Sequence, residues 1–223
     1  MKSSSKRARE EADDAEQQPV RILFVGNSFL NRNGVPDSVA RVAAARGVQV
    51  ECTLVQKGGA SLRQHWNAGK AAEEWRSGRF HHLVLQEQST LPIKNTDRFH
   101  ENVRLFAGLL KETPEKRLWL YSTWCRKNEP ENQSVLDGAY RDIAEEVGAT
   151  VIPVGLAFEQ LKETQDLYDK DGSHCNESGS YLAACVIFAT MFSSSPEGVS
   201  ADEHKRVVNA PKLQKIAWDM CTQ

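Results

Sequence analysis

A serine, Ser28, follows the apolar run Val20-Arg-Ile-Leu-Phe-Val25 and the pair Gly26-Asn27. A hydroxyl at the tip of a strand, behind a flexible glycine, is well placed to be an exposed nucleophile. A polar turn residue or a helix cap has the same pattern. Far downstream stands Asp171-Gly-Ser-His174. A carboxylate three residues ahead of a histidine can curl back onto one imidazole nitrogen, leaving the other to accept a proton from a hydroxyl. A surface turn is the plain alternative. Two further segments offer donors. The paired glycines Gly58-Gly59 let backbone N–H groups approach a bound group closely, or make a turn before a helix opened by Ser61. The polar cluster Gln86-Glu87-Gln88-Ser89 directly follows an apolar strand. Its amides would face the same crevice as Ser28, or form a solvated loop. The force lies in the combination: a hydroxyl, a base with its carboxylate, and two candidate oxyanion donors. Nucleotide phosphate binding has little support, because the first strand lacks G-x-G-x-x-G and no lysine follows the glycines in P-loop fashion.

The elements that must position these residues alternate. Short apolar or alternating runs predict strands over 20–25, 48–55, 80–85, 117–123 and 150–154. Helical periodicity predicts helices over 35–46, stopped by Gly47, and 96–112, opened by Thr-Asp. It also predicts helices over 132–147, closed by Gly148, over 155–164 and over 177–192, with one or two short helices over 62–79. A last helix is expected over 201–221, broken or kinked at Pro211. Strands alternating with helices imply βαβ units, and so an α/β domain with a parallel sheet covered on both faces. In such sheets ligands bind beyond the carboxyl ends of the strands, near the topological switch point. Three of the four segments follow predicted strands, and Asp171-x-x-His174 lies late in the chain, before the helix over 177–192.

In order and approximate spacing, Gly26-Asn27-Ser28, Gly58-Gly59, Gln86-Glu87-Gln88-Ser89 and Asp171-x-x-His174 resemble the motifs of the SGNH/GDSL hydrolases. The resemblance spans about residues 20–195. It implies a flavodoxin-like three-layer α/β/α sandwich with a five-stranded parallel sheet in the order 2-1-3-4-5. It further implies a serine esterase working through an acyl-enzyme, with Ser28 as nucleophile, His174 as general base and Asp171 as its orienting carboxylate. The backbone N–H groups of Ser28 and Gly59 would form part of the oxyanion hole. The family's usual Gly-Asp-Ser is Gly-Asn-Ser here, which should not abolish chemistry because the carboxylate lies beside His174. The family's oxyanion asparagine is absent, so a glutamine must replace it. Some carbohydrate-esterase branches carry Gln-Gly-Glu-Ser at this point, which favours Gln86, whereas simple alignment with Gly-x-Asn-Asp favours Gln88; Gln86 is preferred. The expected substrate is a small-molecule carboxylic ester with a short acyl or O-acetyl group. A catalytically silent binding domain of the same fold is the competing expectation.

The remainder of the 223 residues narrows the context. Lys plus Arg (28) nearly balances Asp plus Glu (30), which argues against bulk electrostatic binding to nucleic acid or anionic lipid. No stretch approaches the ~18 apolar residues of a membrane span. Residues 1–18 carry four basic and then five acidic residues and no core material, so a disordered tail is expected, with residues 19–223 as one domain. The tail's Lys6-Arg7-Ala8-Arg9 is a weak nuclear-import-like patch, and without a secretory signal a cytoplasmic location is expected. Five cysteines with no C-x-x-C pair read as reduced thiols. No Cys/His spacing fits a zinc site and no cofactor is required; His81-His82 would point one ring out and one in. Cys175 adjoins His174, but a strand-tip serine already fills the nucleophile's role. Asn27 and Trp124, with Trp124-Cys125-Arg126 after the fourth strand, could line the substrate crevice; Trp124 could equally pack beneath a loop. Trp66, Trp75 and Trp119 fit core or helix-face positions better. Oligomeric state has no signature in the sequence.

Overall fold

The computed structural model describes residues 18–111, 113, 115–201 and 206–222. The charged tail, apart from Gln18, lies outside the described residues. Five strands form one parallel sheet: β1 (Val20–Gly26), β2 (Val50–Gln56), β3 (His82–Leu85), β4 (Arg117–Tyr121) and β5 (Thr150–Ile152), in the order β2-β1-β3-β4-β5. β1 lies between β2 and β3, with Val25 level with Val55 on one side and Leu85 on the other. The order reverses between β1 and β3, so the switch point falls where those two strands end.

The helices follow in chain order as α1 (Ser28–Asn31), α2 (Val35–Ala45), α3 (Leu62–Ala68), α4 (Lys70–Arg76), α5 (Leu91–Lys94), α6 (Thr96–Ala107), α7 (Gln133–Val147), α8 (Val154–Leu161), α9 (Glu177–Phe192) and α10 (Ala210–Thr222). Side chains of a strand alternate between faces, and this alternation builds two cores. Ile22, Phe24, Val84, Trp119, Tyr121 and Ile152 meet α2, α8, α9 and α10 on one face. Leu23, Val25, Leu83, Leu85, Leu118 and Leu120 meet α3, α4, α6 and α7 on the other. The result is the three-layer α/β/α sandwich. α9 is buried along most of its length, which explains a helix apolar on all sides.

Several boundaries differ from expectation for local reasons. β5 stops at Ile152 because Pro153 has no N–H to extend the ladder. β2 starts at Val50, since the N–H of Val48 is used by the carbonyl of Ala43 to close α2. The region over 62–79 splits at Gly69, whose φ of +78° ends α3 and begins α4. The last helix starts at Ala210 rather than 201, so Pro211 sits in its first turn, where a missing N–H costs nothing, and produces no internal kink. The short α1 and α5 carry too few residues to show a periodicity.

Gly155 opens α8 against the end of β4. A Cβ there would collide with the Thr123 carbonyl oxygen and Gln133 Nε2, both fixed by the fold. Gly155→Ala is therefore expected to lower the unfolding free energy by about 1–3 kcal/mol. Urea denaturation with an unchanged midpoint would contradict this packing.

Candidate active site

Ser28 sits at the first position of α1, directly beyond β1. The turn is closed by Asn27, whose Oδ1 accepts the Phe29 N–H (3.1 Å) as a helix cap while its Nδ2 donates to the Ala60 carbonyl (3.0 Å). Gly26 is required because a Cβ would stand 2.5 Å from Gln86 Oε1. Behind the turn, the buried His65 ring holds the Gly26 carbonyl through Nε2 (2.8 Å). Because a carbonyl only accepts, Nε2 carries the proton of this contact, and burial lowers the pKa of the ring.

The late turn arrives from the other side. Asp171 Oδ1 accepts the N–H groups of Ser173 and His174, both at 2.9 Å, and its Oδ2 lies 2.6 Å from His174 Nδ1. His174 Nε2 lies 2.8 Å from Ser28 Oγ, across 146 residues of sequence. The turn is docked at several points. Asp169 N–H donates to the His174 carbonyl, Lys127 N–H to the Gly172 carbonyl, and Arg32 pairs with Asp169 at 2.6 Å. Asn176 caps α9 immediately afterwards. Trp124 packs beneath, stacked between Phe29 and Phe158, with its Nε1 donating to the Ser173 carbonyl (2.8 Å). His174, the Ser173 N–H and its own N–H hold the Asp171 carboxyl well below the usual carboxylate range.

Above these residues lies a crevice of about 260 Å³, lined among others by Ser28, Gly59, Gln88, Ser89, Arg126 and His174. Among the described residues, the N–H groups of Ser28 and Gly59 have no protein acceptor. Gln88 Oε1 accepts from Thr90 N and Oγ1, which leaves Nε2 as the free donor of that amide. Gln86 is in a different place from the one expected. Its side chain is fully buried under the β1 turn, with Oε1 accepting the Asn27 N–H (2.8 Å) and Nε2 donating to the Glu87 carbonyl. Its register explains this: the residue continues β3 inward, beneath the neighbouring strand end. Trp124 also differs, being 1% exposed and below the crevice rather than in it. Asn27 does line the crevice, but both ends of its amide are engaged by backbone. Cys175 points away, with its Sγ on Ser180 Oγ (3.0 Å), and burial pushes its thiol up to about 11.

Glu87 is the residue that sequence reasoning passed over. It is fully buried; Oε1 accepts the N–H groups of Leu62 (3.0 Å) and Gln88 (2.7 Å), and Oε2 accepts Asn102 Nδ2 (2.8 Å). Burial raises its pKa, while those hydrogen bonds and Arg63 pull the other way. One carboxyl thus ties the loop after β3 to the helix that follows Gly59. The available signal was a carboxylate in the first turn after a fully apolar strand.

Solved structures share this architecture. A candidate SGNH hydrolase from Slackia heliotrinireducens matches at a TM-score of 0.66 and 24% identity, covering 78% of this chain and 99% of that one. A DUF4886 family protein from Bacteroides uniformis matches at 0.73 and 19%, covering 92% and 95%. An acetyl xylan esterase, AlAXEase, matches at 0.62 and 14%, covering 76% and 98%. No family model and no curated protein matches the chain. The chain has an SGNH/GDSL-like fold. Among the described residues no helix is long and apolar enough to cross a membrane.

The Asp171 carboxyl ionises at lower pH folded than unfolded. Its stabilisation is therefore complete above the ordinary value of about 3.9 and fades as the pH falls below it. Wild type should lose more stability than Asp171→Asn between about pH 5 and pH 2. Urea unfolding curves that decline in parallel would contradict the His174–Asp171 contact.

Proposed function

We propose that the protein is a serine esterase acting on small carboxylic esters with short acyl or O-acetyl groups. The observation that carries this reading is the continuous chain Ser28 Oγ–His174–Asp171, at 2.8 and 2.6 Å, opening on a crevice with unused donors. In the first half-reaction His174 Nε2 takes the Ser28 proton while Oγ bonds to the ester carbonyl carbon. The resulting oxyanion accepts from the N–H groups of Ser28 and Gly59 and from Gln88 Nε2, which takes the role first assigned to Gln86. Collapse breaks the bond to the alcohol, which leaves with the proton from His174. In the second half, water gives a proton to His174, attacks the acyl carbon and releases the acid, and Ser28 Oγ recovers its proton. Asp171 stabilises the imidazolium in both halves. The small crevice volume and the likeness to an acetyl xylan esterase support a short acyl group.

Ser28→Ala is expected to abolish p-nitrophenyl acetate turnover while the protein stays folded. Gln88→Ala should lower kcat by about 10²–10³, whereas Gln86→Ala should mainly lower the urea midpoint. Turnover retained by Ser28→Ala would overturn the assignment and favour a silent binding domain. Equal, small kcat losses for both glutamine variants would remove a glutamine from the oxyanion hole.

A further inference from the structure

The crevice above Ser28 does not end at His174. It shares Arg126 and Asp171 with a polar groove of about 460 Å³, which runs on past Thr90 and Lys94. Arg126 is half-buried where the two cavities meet. Among the described residues, its guanidinium has no hydrogen bond or ion pair, unlike the neighbouring Lys127, which pairs with Asp166 at 2.7 Å. The loop holding Arg126 is fixed: its carbonyl accepts from Glu129 N–H, and Lys127 N–H donates to Gly172 beside Asp171. The acidic groups nearby are already engaged, Asp171 by His174 and Glu129 by Asn132 Nδ2 (3.1 Å). Glu129 and Asp171 line the groove as well, but neither pairs with Arg126, and a half-buried guanidinium on a fixed backbone with its N–H groups unpaired favours an incoming anion. A guanidinium offers paired N–H donors in a fork that matches a carboxylate.

From this we infer that Arg126, assisted by Lys94, binds a carboxylate on the alcohol portion of the substrate, so that acidic esters are preferred over neutral ones. The inference rests on the esterase reading above. The alcohol side is favoured because the groove meets the crevice on the side lined by Arg126, Asp171 and His174, and His174 is the group that gives its proton to the departing alcohol. Arg126 dominates the subsite, since Lys94 is exposed and its charge more screened.

The test compares kcat/KM for 4-acetoxybenzoate and 4-acetoxybenzamide, which differ in charge far from the acetyl group. Wild type should favour the benzoate. Arg126→Gln should reduce that preference by about tenfold or more, the worth of a charged hydrogen bond. Arg126→Lys should retain part of it, and Arg126→Glu should reverse it, with Lys94→Gln weaker than Arg126→Gln. Thermal denaturation checks that each variant is folded. Turnover of both esters without a charge preference, or equal loss on both in Arg126→Gln, would overturn the subsite and leave the esterase intact. Failure of wild type to hydrolyse either ester would overturn both readings.

Discussion

Because β1 pairs in parallel with both β2 and β3, the chain leaves all three strands at the same edge of the sheet, and this constraint gathers the site. The loops after them bring Ser28, Gly59 and Gln88 to one place without any of the three being near another in sequence. Parallel pairing alone would leave those loops free to diverge. Buried side chains prevent it: Gln86 holds the backbone of Asn27, Asn27 holds the loop at Ala60, and Glu87 holds both Leu62 and Gln88. Each bond satisfies a backbone group that would otherwise be buried without a partner, at a cost of roughly 1–3 kcal/mol. The same contacts that complete the fold therefore fix the donors.

His174 enters by a different route. It is carried by the turn before α9 and not by a strand, so its position depends on packing from below and pairing from the side. Trp124 and Phe29 provide the floor, and the Arg32–Asp169 and Lys127–Gly172 contacts tie the turn to the loops after β1 and β4. The His174 side chain, 25% exposed, keeps the imidazole within reach of solvent, as the deacylation step of the proposed mechanism would require. The carboxylate that orients it is itself held by two backbone N–H groups.

The parts of this arrangement that were legible in the sequence are local ones. An apolar run ending in Gly-Asn-Ser and an aspartate three residues before a histidine both encode their geometry within a few positions. The strand–helix alternation likewise encodes the layers, and the structure supplies the matching order. What was not legible depends on direction or on distance. Choosing between Gln86 and Gln88 requires knowing that residue 86 still follows the pleat of β3 and turns under β1. Trp124 follows a strand and could line a crevice or underlie one; two stacked rings from distant elements decide it. Glu87 reads as part of a solvated loop until its three donors, from α3, α6 and its own loop, are known. Proline in the first turn of α10 reads as an interruption until the start of that helix is known.

The central claim is that this folding brings a reactive hydroxyl at Ser28 under the control of His174. Labelling with a fluorophosphonate, followed by intact mass and peptide mapping, tests it most directly. The account predicts a single adduct on Ser28, formed much more slowly when His174 is replaced by alanine. No adduct on the folded protein, or an adduct on another residue at the same rate in both proteins, would contradict it.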